Sequence, residues 1–169
     1  MIDAREQAPA AAHRDMYLAD EGSVNRDLAV NGPLAGGLPG EIAGLEHLAK
    51  HYGRLPLATS LAPAIRIARE GFEVDKKFKA LMGWRIDAIR RWPAAAEAYL
   101  VDGNDMPPIG HVIRLPDLAW VLEQVAERGA EGFYAGPVAE KLVKGVRDAG
   151  GIWTMDDLAA YRVKEREPI

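Results

Sequence analysis

The sequence contains no cysteine. Disulfides, thiolate metal sites and a cysteine nucleophile are therefore excluded, while the compartment is left open. Hydroxyl nucleophiles are scarce as well. The serines are Ser23 and Ser60, and the threonines are Thr59 and Thr154. None stands in the Gly-x-Ser-x-Gly pattern that exposes a serine at a strand-to-helix turn. There is no long apolar run, so no membrane span is expected. No basic stretch followed by an apolar one opens the chain, so no signal peptide is expected within it. Nor is positive charge in excess: the formal net charge is -4 and the pI about 5.6, which gives no electrostatic reason to bind nucleic acid. The polar composition of a disordered chain is absent too. With 49% hydrophobic and 27% charged residues over 169 positions, the sequence has the size and make-up of one globular domain.

Residues 1–40 are rich in Gly, Pro, Asp and Asn and show little helical periodicity. They predict a short N-terminal strand, a helical turn near Ala10–Leu18 and then a long loop; "NGPLAGGLPG" is turn material throughout. After Gly40 the pattern changes. Ile42, Leu45, Leu48, Ala49 and Tyr52 recur at helical spacing, with Pro39 at a tolerated first position and Gly53 as a stop. A second helix is expected over Thr59–Glu70, with Thr59 or Ser60 as cap and Pro63 in its first turn. A third is expected over Asp75–Arg91, ended by Pro93, and a short one through "AAAEAYL". "LPDLAWVLEQVAERG" and "AGPVAEKLVKGVRDAGG" share one design, a proline early and a glycine late. Thr154 and Asp157 form a capping-box pair, with Asp a weaker partner than Glu. "RVKEREPI" alternates and is a strand candidate. The chain is thus expected to be mainly α, with strand candidates only at its two ends. Residues 1–40 form an N-terminal strand-and-loop segment and 41–169 a helical domain.

Candidate sites are few. Glu46, His47 and His51 lie within one helical turn or so of each other, yet Glu precedes the first His, unlike the His-Glu-x-x-His order of zinc proteases. Both histidines fall opposite Ile42, Leu45 and Leu48, and no third ligand is visible, so a solvated polar face is expected and no metal. "GGLPGEIAGL" has glycines before a helix, but matches neither nucleotide-binding fingerprint, and no strand pattern precedes it. It is expected to be a structural turn feeding a closely packed helix. Trp84, Trp92, Trp120 and Trp153 are expected to pack in the core or in surface grooves rather than to stack a ligand. The most unusual cluster is at the start, "MIDAREQAPA". As a strand it sets Asp3, Arg5 and Gln7 on one face and Ile2, Ala4 and Glu6 on the other.

Several stretches together resemble one family. "DAREQAPAAAHRDMYLADEG", "GGLPGEIAGLEHLAKHYGRLPL", "LAPAIRIAREGFEVD", "LPDLAWVLEQVAERGAEGFYAGPVAEKLV" and "GGIWTMDDLAAYRVKEREPI" are similar to the large subunit of γ-glutamyltranspeptidases, in that family's order and spacing. Asp-x-Arg-Glu-x-Ala-Pro is the most informative motif. The resemblance implies an αββα N-terminal nucleophile hydrolase built from two subunits of one self-cleaving precursor. It implies transfer or hydrolysis of the γ-glutamyl group of glutathione and related compounds, without a cofactor. It implies that Arg5 holds the α-carboxylate of the γ-glutamyl group, a role suited to the bidentate guanidinium fork. A structural role is expected for Glu6. By the same resemblance the enzyme would be periplasmic or extracellular.

Other parts of the family pattern are missing. The nucleophilic threonine belongs to a Thr-Thr-His motif at the start of the small subunit, and this sequence has none. No catalytic residue is therefore expected within 1–169, and the chain alone is expected to be inactive: an excised piece of the large subunit, whose partner small subunit carries the nucleophile. Its N-terminal strand would then lack sheet neighbours, leaving 1–30 mobile, swapped or packed in a non-native way. Two other readings stay open. One is a related acylase of the cephalosporin acylase or poly-γ-glutamate-processing kind. The other is a stand-alone helical interaction module.

Overall fold

The structure, a computed structural model, describes residues 1–168. The described chain is mainly helical. Ten helices run in order: α1 (Arg26–Val30), α2 (Glu41–His51), α3 (Leu57–Glu70), α4 (Lys76–Gly83), α5 (Ile86–Arg91), α6 (Pro93–Tyr99), α7 (Pro116–Arg128), α8 (Glu131–Tyr134), α9 (Gly136–Asp148) and α10 (Met155–Ala160). Four two-residue strands accompany them: β1 (Ile2–Asp3), β2 (Phe72–Glu73), β3 (Val112–Ile113) and β4 (Lys164–Glu165). The chain falls into two compact units, one of residues 1–60 with 124–169 and one of residues 61–123. Residues 1–40 share a unit with 41–60 and with the C-terminal helices.

In the first unit the two ends of the chain meet. β1 pairs antiparallel with β4, Ile2 opposite Glu165 and Asp3 opposite Lys164. The Met1 carbonyl accepts the Arg166 amide at 2.9 Å, and the terminal ammonium donates back to the Arg166 carbonyl at 2.8 Å. This corrects the expectation of an N-terminal strand without partners. The alternating tail supplies the missing neighbour, so the backbone groups of both ends are satisfied together. A Gln7–Leu38 bridge continues the attachment, with both amides donating to the opposite carbonyl. The core here holds Leu38, Val125, Phe133, Val138, Val143, Trp153 and Leu158, drawn mostly from α7 to α10. Trp153 is buried as expected and donates its indole N–H to the Gly36 carbonyl at 2.9 Å.

In the second unit Val74, Met82, Ala96, Leu100 and Ile113 form the core, with Phe72 edge-on to Phe78 at 5.3 Å. β2 and β3 pair there, Phe72 opposite Ile113. Strands were expected only at the chain ends. A two-residue ladder is too short to leave an alternating pattern, so tertiary pairing alone defines it. Trp84 is 82% exposed, against the packed role expected for it.

Helix limits differ from the sequence pattern where caps compete. The 10–18 stretch makes turns, and α1 forms in the expected loop because Asn25 accepts the amides of Asp27 and Leu28. α3 starts at Leu57, so Pro63 lies inside it, not in the first turn. The expected helix over 75–91 breaks into α4 and α5 at Trp84–Arg85, with Asp75 capping the first through the Phe78 amide at 2.7 Å. α2 begins at Glu41, leaving Pro39 outside. Its apolar stripe is not core: Leu45, Leu48 and Tyr52 are 40%, 43% and 64% exposed, and only Gly44 is buried.

Candidate functional site

Arg5 lies one residue beyond β1, after Ala4, and its backbone is held from both sides by side chains. Its amide donates to Asp3 Oδ1 at 3.2 Å. Its carbonyl accepts the Tyr161 hydroxyl at 2.7 Å. Asp3 is itself anchored, because its Oδ2 accepts Arg166 Nε of the C-terminal tail at 2.6 Å. That hydrogen bond, with help from the Arg5 amide, holds the Asp3 carboxyl below its ordinary range. The Arg5 side chain is free to meet solvent, being 81% exposed. Its Nη2 pairs with Glu6 Oε1 at 2.8 Å. The pairing raises the Arg5 pKa and lowers that of Glu6, each mainly through that shared hydrogen bond. Arg5 thus presents a fixed backbone and a solvent-facing cation whose present partner is a neighbouring carboxylate.

The glycine-rich turn performs the packing role expected of it. A side chain at Gly40 would overlap both the Tyr161 hydroxyl and the Ala4 carbonyl oxygen. One at Gly44 would stand 2.6 Å from the Ala4 methyl. The start of α2 therefore lies directly against Ala4 and Tyr161, an approach only glycine permits. Tyr161, just past the end of α10, is 5% exposed. It stacks on Tyr134, ring centroids 5.5 Å apart and planes 6° from parallel. The Tyr134 hydroxyl donates to the Pro39 carbonyl at 2.7 Å and accepts the Ala43 amide at 3.4 Å. Burial raises both phenols, Tyr134 to about 12.

The capping box at the start of α10 forms as expected. Thr154 accepts the Asp157 amide at 3.1 Å, and the Thr154 amide and hydroxyl both donate to Asp157 Oδ2, at 2.8 and 2.7 Å. The second Asp157 oxygen reaches the Ala10 amide at 2.8 Å. Burial pushes the Asp157 pKa up, but these hydrogen bonds outweigh it, and the net direction is down. The Thr154 hydroxyl is thereby committed to structure. Ser23 donates to Glu21 Oε1 at 2.8 Å and Ser60 to the Pro56 carbonyl at 3.4 Å, while Thr59 sits exposed in the first turn of α3. Thr154 and Ser23 each donate to a carboxylate two or three residues away, so both bonds are local ones, within a helix cap and a turn.

The histidines are brought together, ring centroids 4.4 Å apart. His47 does not lie on a solvated face: it is half-buried and bonds Glu165 Oε1 of β4 through Nε2 at 2.7 Å. Among the described residues no group of three or more His, Cys, Asp or Glu is placed to hold a metal ion.

Sequence reasoning singled out Arg5 and missed the residues that hold its backbone or hold those in turn, Tyr161, Tyr134, Asp3 and Arg166. Asp3 carried a signal, since it opens the motif. The tyrosines carried none, because each lies more than a hundred residues along the chain from Arg5.

Comparison with known proteins shows the family. The profile of the gamma-glutamyltranspeptidase family matches residues 1–169. The chain is 41% identical to glutathione hydrolase 3 of Arabidopsis thaliana, over 96% of its own length and 25% of that protein. Among solved structures, γ-glutamyltranspeptidase from Helicobacter pylori superposes with a TM-score of 0.96 at 34% identity, covering 99% of this chain and 48% of that one. The enzyme from Pseudomonas nitroreducens, in complex with L-DON, gives 0.90 at 35% identity, covering 99% and 48%. The fold is that of the large-subunit portion of an N-terminal nucleophile hydrolase. The chain belongs to the gamma-glutamyltranspeptidase family, a family of enzymes. It spans about a quarter of the curated relative's length and about half of the solved chains.

Proposed function

We propose that this chain is the carboxylate-holding part of an enzyme that transfers or hydrolyses the γ-glutamyl group of glutathione and related compounds. The observation that carries the reading is Arg5. Its guanidinium faces solvent while both polar groups of its backbone are tied down. Such a residue can exchange one carboxylate partner for another without moving its main chain. The α-carboxylate of a γ-glutamyl group would displace Glu6 and accept two parallel N–H bonds, which fixes orientation as well as affinity. Orientation is what the reaction needs, because attack requires the scissile carbonyl held close to the nucleophile. That nucleophile comes from a threonine outside residues 1–169, on the small subunit of the same precursor. The compartment that fits this reading is the periplasm or the cell exterior.

The test uses the enzyme assembled from this chain and the remainder of its precursor. Arg5→Lys keeps the charge and removes the fork. It is expected to raise KM for the γ-glutamyl donor strongly, with a smaller effect on kcat. An unchanged KM would remove Arg5 from the carboxylate site. The 169-residue chain alone is expected to leave a γ-glutamyl anilide intact.

A further inference from the structure

We propose that Tyr161 is a positioning residue for donor binding, acting through the backbone of Arg5. The inference rests on the reading of Arg5 as the carboxylate holder. Arg5 lies beyond the two-residue ladder of β1, so no neighbouring strand sets the orientation of its carbonyl. The Tyr161 hydroxyl does so instead, at 2.7 Å. Three features fix that hydroxyl. The ring is buried and lies flat on Tyr134. Tyr134 is in turn held by the Pro39 carbonyl and the Ala43 amide. Gly40 leaves open the space the hydroxyl occupies, space that a methyl group would fill.

The consequence is geometric. A bidentate guanidinium–carboxylate pair tolerates little angular error. The Cα–Cβ bond keeps its angle to its own N, Cα and C atoms, so where the Arg5 side chain aims in the site follows from how the two flanking peptide planes are held. Asp3 holds the plane before Arg5 and Tyr161 holds the plane after it. Without the Tyr161 hydroxyl, the Arg5 carbonyl loses its side-chain partner and that plane is free to rotate. The guanidinium then samples more directions, and the donor binds less tightly. The reacting bond is untouched, so the turnover of bound donor is preserved.

Four variants of the assembled enzyme test this with a γ-glutamyl anilide donor. Tyr161→Phe keeps the stacked ring and removes the hydroxyl. It is expected to raise KM about fivefold to twentyfold, the effect of one lost hydrogen bond, with kcat within about twofold. Gly40→Ala breaks the same bond from the other side and is expected to raise KM likewise. Tyr17→Phe removes a hydroxyl bond of the same kind, to the Leu34 carbonyl at 3.0 Å in the same unit, and is expected to leave both constants unchanged. Arg5→Lys reports on the underlying site. A normal KM in Tyr161→Phe or Gly40→Ala beside a raised KM in Arg5→Lys would overturn the role of Tyr161 and keep Arg5. A normal KM in Arg5→Lys would overturn the carboxylate site itself. Parallel losses of kcat in Tyr161→Phe and Tyr17→Phe would reduce Tyr161 to a structural residue.

Discussion

Asp157 accepts the amide of Ala10 at 2.8 Å, across 147 positions of sequence. One carboxylate thereby closes the capping box of α10 and anchors the segment that follows Arg5. Its hydrogen bonds leave it a stronger acid in the folded chain than in the unfolded one. The unfolded state then binds the proton more readily, so this contribution to stability is present above the ordinary value of 3.8 and is lost as pH falls through the lower folded value. Asp157→Ala is expected to cost about 2–3 kcal/mol at neutral pH, from the lost cap and the unpaired Ala10 amide. Asp157→Asn is expected to flatten the acid limb of the stability curve. Urea unfolding between pH 7 and pH 3 measures both, and an unchanged acid limb in Asp157→Asn would assign it to other carboxylates.

Pro63 sits inside α3, exposed, as the seventh residue of the helix. It cannot donate to the carbonyl one turn earlier, and its ring crowds that turn. Pro63→Ala restores the donor. The gain is partly offset by the greater freedom of the unfolded chain, so a net stabilisation of about 1–2 kcal/mol is expected. Thermal unfolding reads it directly. A lower midpoint would mean that the helix has already relaxed around the ring.

The exposed stripe of α2 makes a separate prediction. Leu45 and Leu48 contribute little to the core of the isolated chain. The double change Leu45→Gln and Leu48→Gln is expected to move its stability by no more than about 0.5–1 kcal/mol. It is also expected to lower self-association, since contiguous exposed apolar surface promotes it. Light scattering across a concentration series and one melting curve decide the matter. A large loss of stability would place those leucines in a packed interface.

Much of the helical framework was legible. α2, α6, α7, α9 and α10 lie close to where periodicity, early prolines and late glycines put them, because those signals act within a few residues. The capping box could be read from Thr154 and Asp157 for the same reason. The division of 75–91 into α4 and α5 was not legible: Gly83, the last residue of α4, is the local mark, and a lone glycine inside a helical pattern does not by itself end it. The β2–β3 ladder was not legible either, because its strands are forty residues apart and two residues long. The face of α2 was assigned correctly as a stripe but not as a surface. A period shows which side chains share a side; only the rest of the fold shows what covers them.

The same division applies to the motif around Arg5. The residue types of the motif are local chemistry: a guanidinium in Asp-x-Arg-Glu-x-Ala-Pro is visible in seven letters, and so is the short supply of hydroxyls, two serines and two threonines. The sequence by itself also determined the family. What holds Arg5 in place was decided by tertiary structure alone. Its carbonyl is met by Tyr161, its neighbour Asp3 by Arg166, and its strand by residues 164–165. Each of these bonds joins points about 160 residues apart, where no periodicity or spacing rule reaches. Folding brings them together because the backbone groups of one short strand find their partners in another, and at this end of the chain that strand is at the other end.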